Sequence, residues 1–344
     1  MKQSVHLWRK SPGSATVRIF LLAGSMMSFM WSQAEAAPEV RDVPPGVSAY
    51  RDLTYVPGST DENQRLDLYV PENSTKPLPV IIYIHGGGWN GADKRSCPPL
   101  YFVKDGYAAA SLEYRFSSKA KFPAQIQDCQ AAIRWLRGNA RKYNLDPDHI
   151  GVWGESAGGH LSALLGTAGG SSAFEPIGEF KDQSDRVQAV CDFFGPTDFM
   201  TVIEQGNANA LKHRPKWEEW KGDGYSNLIG AKAGVDVGKS KAVSPIQYVS
   251  KSSPPFLIYH GTWDQFVPFQ QSEELVKKLQ ANKVEVMLQP MANMEHSGAI
   301  YWTEPALKLV KAFFDRHLQG KKVDLEPLST KDSTFVWPTV ADHG

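Results

Sequence analysis

Apolar and polar positions follow two rhythms along this chain. Gln64-Arg65-Leu66-Asp67-Leu68-Tyr69-Val70 alternates apolar with polar, which predicts an early antiparallel strand that Pro71 stops. Val80-Ile81-Ile82-Tyr83-Ile84-His85 is instead an unbroken β-branched and aromatic run, the pattern of a strand covered on both faces. Beyond it, further strand-like runs lie at Tyr107–Tyr114, Ile150–Trp153, Val187–Phe194, Phe256–His260 and Val284–Gln289. Helical patterns interleave with them at Pro123–Tyr143, Ser156–Gly166, Gln271–Gln280 and Glu304–Leu318. The first of these helices opens on Pro123 and carries Ile126, Ala131, Ile133, Trp135 and Leu136 among polar residues, an amphipathic stripe. Such interleaving predicts an α/β chain with a mostly parallel central sheet and helices on both faces.

The rhythm fails in three places. Between Asp198 and Ser244, Trp217, Trp220, Tyr225 and Leu228 are scattered among Lys, Glu, Gly and Asn. A structureless stretch of that length is unusual in a compact domain, so an inserted cap or lid is expected at about 199–243. At the N-terminus Lys2, Arg9, Lys10 and Arg18 precede the apolar stretch Ile19–Trp31, followed by Ala34-Glu35-Ala36. This reads as a signal peptide over residues 1–36, cleaved to leave no stable membrane insertion. The stretch is short for a bilayer span, which needs about 20 residues. A Pro-, Asp- and Glu-rich arm follows from Ala37 to about Val47 and is expected to pack on the fold. The domain then runs over 37–320, and a tail over 321–344 has Phe335, Val336 and Trp337 to pin it.

Composition narrows the choice of partner. The 37 basic side chains balance 37 acidic ones, and hydrophobic residues make up 42%. A balanced chain offers no field for nucleic acid, and a small neutral substrate is expected. Export implies a secreted or periplasmic location and an oxidising compartment, yet the chain has 3 cysteines, which cannot all pair. Cys129 in a predicted helix and Cys191 in a predicted strand are expected reduced and buried; Cys97 is the third. None has metal-ligand spacing, and no metal or cofactor is expected. Oligomeric state is not legible.

The chemistry begins at Gly154-Glu155-Ser156-Ala157-Gly158, which follows the strand Ile150–Trp153 and opens a helix. That strand-turn-helix context marks a nucleophile elbow, where a tight turn presents a serine. A serine needs a base, and the base an orienting acid, in the chain order Ser, Asp or Glu, His. Asp264, just past the strand Phe256–His260, and His296, between the last strand and the last helix, fit that order at one sheet edge. His85, His160 and His260 are rival histidines, and Asp192, Asp198 and Glu295 rival acids, each read more readily as structural. His85-Gly86-Gly87-Gly88-Trp89 follows the long apolar strand, and its glycines let backbone N–H groups approach a carbonyl oxygen. With the N–H of Ala157, those of Gly86 and Gly87 are expected to form an oxyanion hole.

Five segments in order, H-G-G-G-W, Y-R-F-S, F-P-A-Q-I-Q-D-C-Q-A-A-I-R-W-L-R, G-x-W-G-E-S-A-G-G-H and H-G-T-x-D-x-x-V-P-F, resemble the α/β-hydrolase superfamily in its carboxylesterase and lipase-like branch. The nearest likeness is to bacterial bifunctional feruloyl and acetyl-xylan esterases, over about Asp52 to His317. The resemblance implies the triad Ser156, Asp264 and His296 and the donors Gly86, Gly87 and Ala157. It implies a serine carboxylester hydrolase working through an acyl-enzyme, on a small or polysaccharide-linked ester such as a feruloyl or acetyl group. Trp89 and Trp263 either line a pocket for an aromatic acyl group or serve packing. The insertion near Lys212–Lys241 and the tail depart from the likeness, so both pockets stay open. An arylformamidase-like amidase would use the same triad, and a non-catalytic binding protein would keep the fold without the chemistry.

Overall fold

The computed structural model describes residues 42–213 and 222–329. The chain parts into two compact units, 1–34 and 35–344, and the first lies wholly outside the described residues. So do the expected signal peptide, Trp217 and Trp220, and the tail residues Phe335, Val336 and Trp337.

Eight strands form one sheet: β1 (Val47–Thr54), β2 (Arg65–Pro71), β3 (Leu78–Ile84), β4 (Ala108–Leu112), β5 (Leu145–Glu155), β6 (Ala189–Phe193), β7 (Phe256–Gly261) and β8 (Val286–Met291). Their spatial order is β1-β2-β4-β3-β5-β6-β7-β8. The β1–β2 and β2–β4 pairings are antiparallel and every other pairing is parallel. The helices are α1 (Ala124–Gly138), α2 (Ala140–Tyr143), α3 (Ala157–Ala168), α4 (Val202–His213), α5 (Asp223–Ile229), α6 (Val237–Val243), α7 (Gln270–Ala281) and α8 (Glu304–Leu318). This is the α/β-hydrolase architecture, a mostly parallel sheet with helices alongside.

The unbroken apolar runs have a direct explanation in the packing. In β3, Val80, Ile82 and Ile84 join a core with Ile126, Cys129 and Ile133 of α1, Leu161 and Leu164 of α3, and Leu275 of α7. Ile81 and Tyr83 point the other way, into a second core with Trp153, Phe193, Tyr259 and the α8 residues Val310, Phe313 and Phe314. With helices on both sides, neither side-chain set can be polar. Each large side chain so buried contributes about 1.5–3 kcal/mol.

Two local expectations change. The helix expected over Pro123–Tyr143 is interrupted at Asn139, which ends α1 and precedes the short α2. Strand β1 lies beyond the arm and was not expected, because its central residues are exposed and its order comes from pairing with β2. The segment 199–243 carries α4, α5 and α6, whose Val202, Tyr225, Leu228 and Val243 join the first core. Its anchors lie at the C-terminal edge of the sheet. Asn209 Nδ2 donates to the Asp264 carbonyl at 2.6 Å, Tyr225 Oη to the Phe266 carbonyl at 3.1 Å, and Phe122 N to the Leu228 carbonyl at 2.9 Å.

Candidate active site

Strand β5 ends at Glu155 and α3 begins at Ala157, so Ser156 alone makes the turn, at φ 51° and ψ −116°. Its N–H donates to Phe193 O of the neighbouring β6 at 2.8 Å, and its own carbonyl accepts the first α3 bond from His160 N at 2.9 Å. The turn needs bare backbone on either side. A Cβ on Gly154 would collide with the Gly158 carbonyl, and one on Gly158 with the Ile84 carbonyl at the end of β3.

Asp264 and His296 arrive on the loops after β7 and β8. Those loops are joined by backbone: Trp263 N donates to Met294 O at 2.9 Å and Thr262 N to Met291 O at 3.1 Å, while Thr262 Oγ1 accepts Asn293 N at 2.9 Å. The structure brings Ser156, His296 and Asp264 into one line. Ser156 Oγ lies 2.9 Å from His296 Nε2, and His296 Nδ1 lies 2.6 Å from Asp264 Oδ2. Since an ionised carboxylate only accepts, Nδ1 carries the proton and Nε2 accepts from the serine hydroxyl. Phe194 and Phe266 meet the imidazole edge-on, with centroids 4.9 and 5.9 Å away.

Asp264 is fully buried and densely bonded. Oδ1 accepts Phe266 N at 2.9 Å and Val267 N at 2.8 Å. Burial pushes its carboxyl up, but the His296 charge beside it and the hydrogen bonds from His260 and His296 outweigh burial and hold it at about 2. His260, a rival to His296 on sequence grounds, lies behind Asp264. Its Nε2 faces Val267 O at 2.7 Å and Asp264 Oδ2 at 3.4 Å, both acceptors, so Nε2 bears the proton and Nδ1 accepts from Ser272 Oγ at 2.6 Å. Only the folded loop could reveal that role, since His260 ends a strand like any packed residue.

The other rivals are occupied elsewhere. His160 accepts from Trp89 Nε1 at 3.1 Å and donates to Val243 O at 2.8 Å, and burial lowers it to about 4. Asp192 accepts Gly195 N at 2.9 Å through Oδ1, and burial raises it to about 6. Asp198 Oδ1 accepts Met200 N at 2.8 Å. The three cysteines are free thiols and all buried.

Gly86 lies against Ser156: a Cβ there would stand 3.4 Å from Ser156 Cβ. The loop then runs through left-handed backbone at Gly87, Gly88 and Trp89. Ala157 N opens α3, where the first-turn N–H groups have no intrahelical acceptor. Trp89 departs from the pocket-lining alternative. It is 2% exposed, its indole N–H is given to His160, and its ring packs on Phe199 and Tyr225 at 5.7 and 5.4 Å, so it seats the inserted helices. Trp263 is 42% exposed beside Asp264.

Among the described residues no group of three or more His, Cys, Asp or Glu side chains converges as a metal site. No described helix is long and apolar enough to cross a membrane.

The BD-FAE family model matches residues 66–279. The chain is 30% identical over 227 residues to the probable carboxylic ester hydrolase LipM of Mycobacterium tuberculosis, covering 65% of this chain and 50% of that protein. It spans 50 to 61% of the length of the curated relatives LipM, LipQ and LipC. A truncated carbohydrate esterase from gut microbiota superposes with a TM-score of 0.70 at 28% identity, covering 83% of this chain and 100% of that one. A bifunctional GH43-CE protein of Bacteroides eggerthii superposes at 0.67 with 29% identity, over 78% of this chain and 35% of its own.

Proposed function

This chain belongs to the BD-FAE family of α/β-hydrolase esterases, and on that footing we propose that it is a serine carboxylester hydrolase for feruloyl or acetyl esters of plant polysaccharide outside the cytoplasm. The observation that carries the chemistry is the unbroken line from Ser156 Oγ through His296 to Asp264. Ser156 Oγ bonds to the ester carbonyl carbon as its proton passes to His296 Nε2. The electron pair of the carbonyl moves onto oxygen, where the N–H groups of Gly86, Gly87 and Ala157 receive it. Collapse expels the alcohol, protonated by His296, and leaves an acyl-serine. Water, deprotonated by the same histidine, then releases the acid. Asp264 stays ionised throughout, because its carboxyl is held at about 2.

The substrate reading is supported by the family and by the likeness to a carbohydrate esterase from gut microbiota. Trp263 gives the rim an exposed aromatic face next to the acid loop. The location reading is supported by the basic and apolar character of the first 36 residues.

Hydrolysis of p-nitrophenyl acyl esters, methyl ferulate and acetylated xylan by wild type and Ser156→Ala tests the proposal. Wild type should turn over at least one ester, with kcat falling by about four to six orders of magnitude in the variant. Equal rates for the two proteins would refute serine catalysis. Turnover confined to formamides or amides would refute the ester reading, and preference among the esters decides the acyl group.

A further inference from the structure

Two carbonyls, not two N–H groups, reveal how the oxyanion loop is aimed. A planar trans peptide points its C=O and its N–H in opposite directions. The His85 carbonyl therefore governs the Gly86 N–H, and the Gly86 carbonyl the Gly87 N–H. Both carbonyls are held by one hydroxyl: Tyr114 Oη lies 3.0 Å from His85 O and 3.0 Å from Gly86 O. The Gly86 carbonyl has a second donor in His85 Nδ1, at 3.0 Å.

His85 is in turn fixed from behind. Its Nε2 lies 3.2 Å from Oε2 of Glu113, and Oε1 of the same carboxyl accepts Lys94 N at 2.8 Å. Glu113 thus ties the start of the glycine loop to the residue beyond its far end. It is 7% exposed, and His85 is 1% exposed with its ring stacked on Tyr114 at 4.5 Å and 17°. Water has little access to replace either bond.

Resting on the acyl-enzyme reading above, we propose that Glu113, acting through His85, and Tyr114, acting on both carbonyls, are positioning residues that set the direction of the Gly86 and Gly87 N–H groups. Nδ1 of His85 faces the Gly86 carbonyl, so it carries a proton, and a hydrogen bond joins Nε2 to Glu113 Oε2. A glutamine at 113 can reproduce that pattern. Its amide oxygen accepts from Lys94 N, and its amide N–H donates to a bare Nε2 while Nδ1 keeps its proton on Gly86 O. Alanine can reproduce neither.

Steady-state kinetics and thermal melting of Tyr114→Phe, Glu113→Ala and Glu113→Gln, alongside Ser156→Ala, separate positioning from packing. Loss of a whole oxyanion donor costs about 100- to 1,000-fold in kcat, so a misaimed one should cost about tenfold or more with KM within about twofold. That fall is expected in Tyr114→Phe and Glu113→Ala, and Glu113→Gln should recover most of it. Tyr114→Phe removes one oxygen and keeps the ring on His85, so it carries the test if Glu113→Ala does not fold. Folded variants that keep wild-type kcat, or lose only through KM, overturn the proposal; a glutamine as poor as alanine overturns the part assigned to Glu113. Histidine-nitrogen NMR reads the loop without turnover: Nδ1 of His85 bears a proton in wild type, and a bare Nδ1 there overturns the hold on the Gly86 carbonyl. Failure of the function reading itself has a different signature, an unchanged rate in Ser156→Ala.

Discussion

Ser156 occupies a backbone conformation, φ 51° and ψ −116°, that costs a non-glycine residue about 1–3 kcal/mol. The surroundings enforce it, through Phe193 O on its N–H and close-packed glycines on either side. Asp264 matters equally under the proposed mechanism. Asp264→Asn should lower kcat by about four orders of magnitude, as the equivalent change does in serine proteases, since an amide favours the wrong tautomer of the base. The same carboxyl has a stability signature. Its folded value of about 2 lies below the ordinary 3.8, so it contributes stability at pH above about 4 and loses it as pH falls through about 2. Wild-type melting temperature should therefore fall more steeply than that of Asp264→Asn between about pH 4 and pH 2. Parallel curves from calorimetry would show that Asp264 titrates alike in both states. Ser156, Asp264 and His296, which the structure brings into one line, were legible as candidates because their chain order and flanking glycines are read directly from the sequence. Glu113, Tyr114 and His260 were not, because each acts through a partner that only the folded loops bring near.

At the scale of elements, the strand and helix centres follow from periodicity, while their ends follow from contacts. Glu304–Leu318 keeps its expected bounds, with Pro in the first turn and a strongly two-faced sequence. Strand β5 extends far beyond the apolar run Ile150–Trp153, because Leu145 pairs with Leu78 of β3 across polar residues. The inserted helices α4 to α6 escaped periodicity for a physical reason: two are 7 residues long, with glycine-rich surroundings, and gain their order from docking. Their docking is polar where it meets the acid loop. Asn209→Ala removes the donor to the Asp264 carbonyl and should destabilise the protein by about 1–3 kcal/mol in urea unfolding, with kcat also reduced. A variant of wild-type stability and rate would mean that the loop holds its shape without α4.

At the scale of the whole molecule, the two-sided core decides the chemistry of the thiols. Cys129 lies in the first core, Cys191 in the second and Cys97 in a third cluster with Tyr69 and Val103. Burial pushes all three thiols up from their ordinary range, so little thiolate forms at neutral pH. A thiol reagent such as Ellman's should label the native protein slowly and all 3 cysteines at once in guanidinium. Rapid native labelling of all of them would contradict the buried placement. The amino-acid sequence by itself determined the α/β architecture, the Gly154–Gly158 turn, the chain order of Ser156, Asp264 and His296 and the glycine loop, because each is read from local periodicity, a short motif or simple order along the chain. Tertiary structure alone decided that Trp89 is a packing residue, that His260 backs Asp264, that Tyr114 holds the loop carbonyls and that Glu113 holds His85. Those roles depend on side chains from distant segments meeting at hydrogen-bond distance, and no local pattern encodes which of many polar residues will meet.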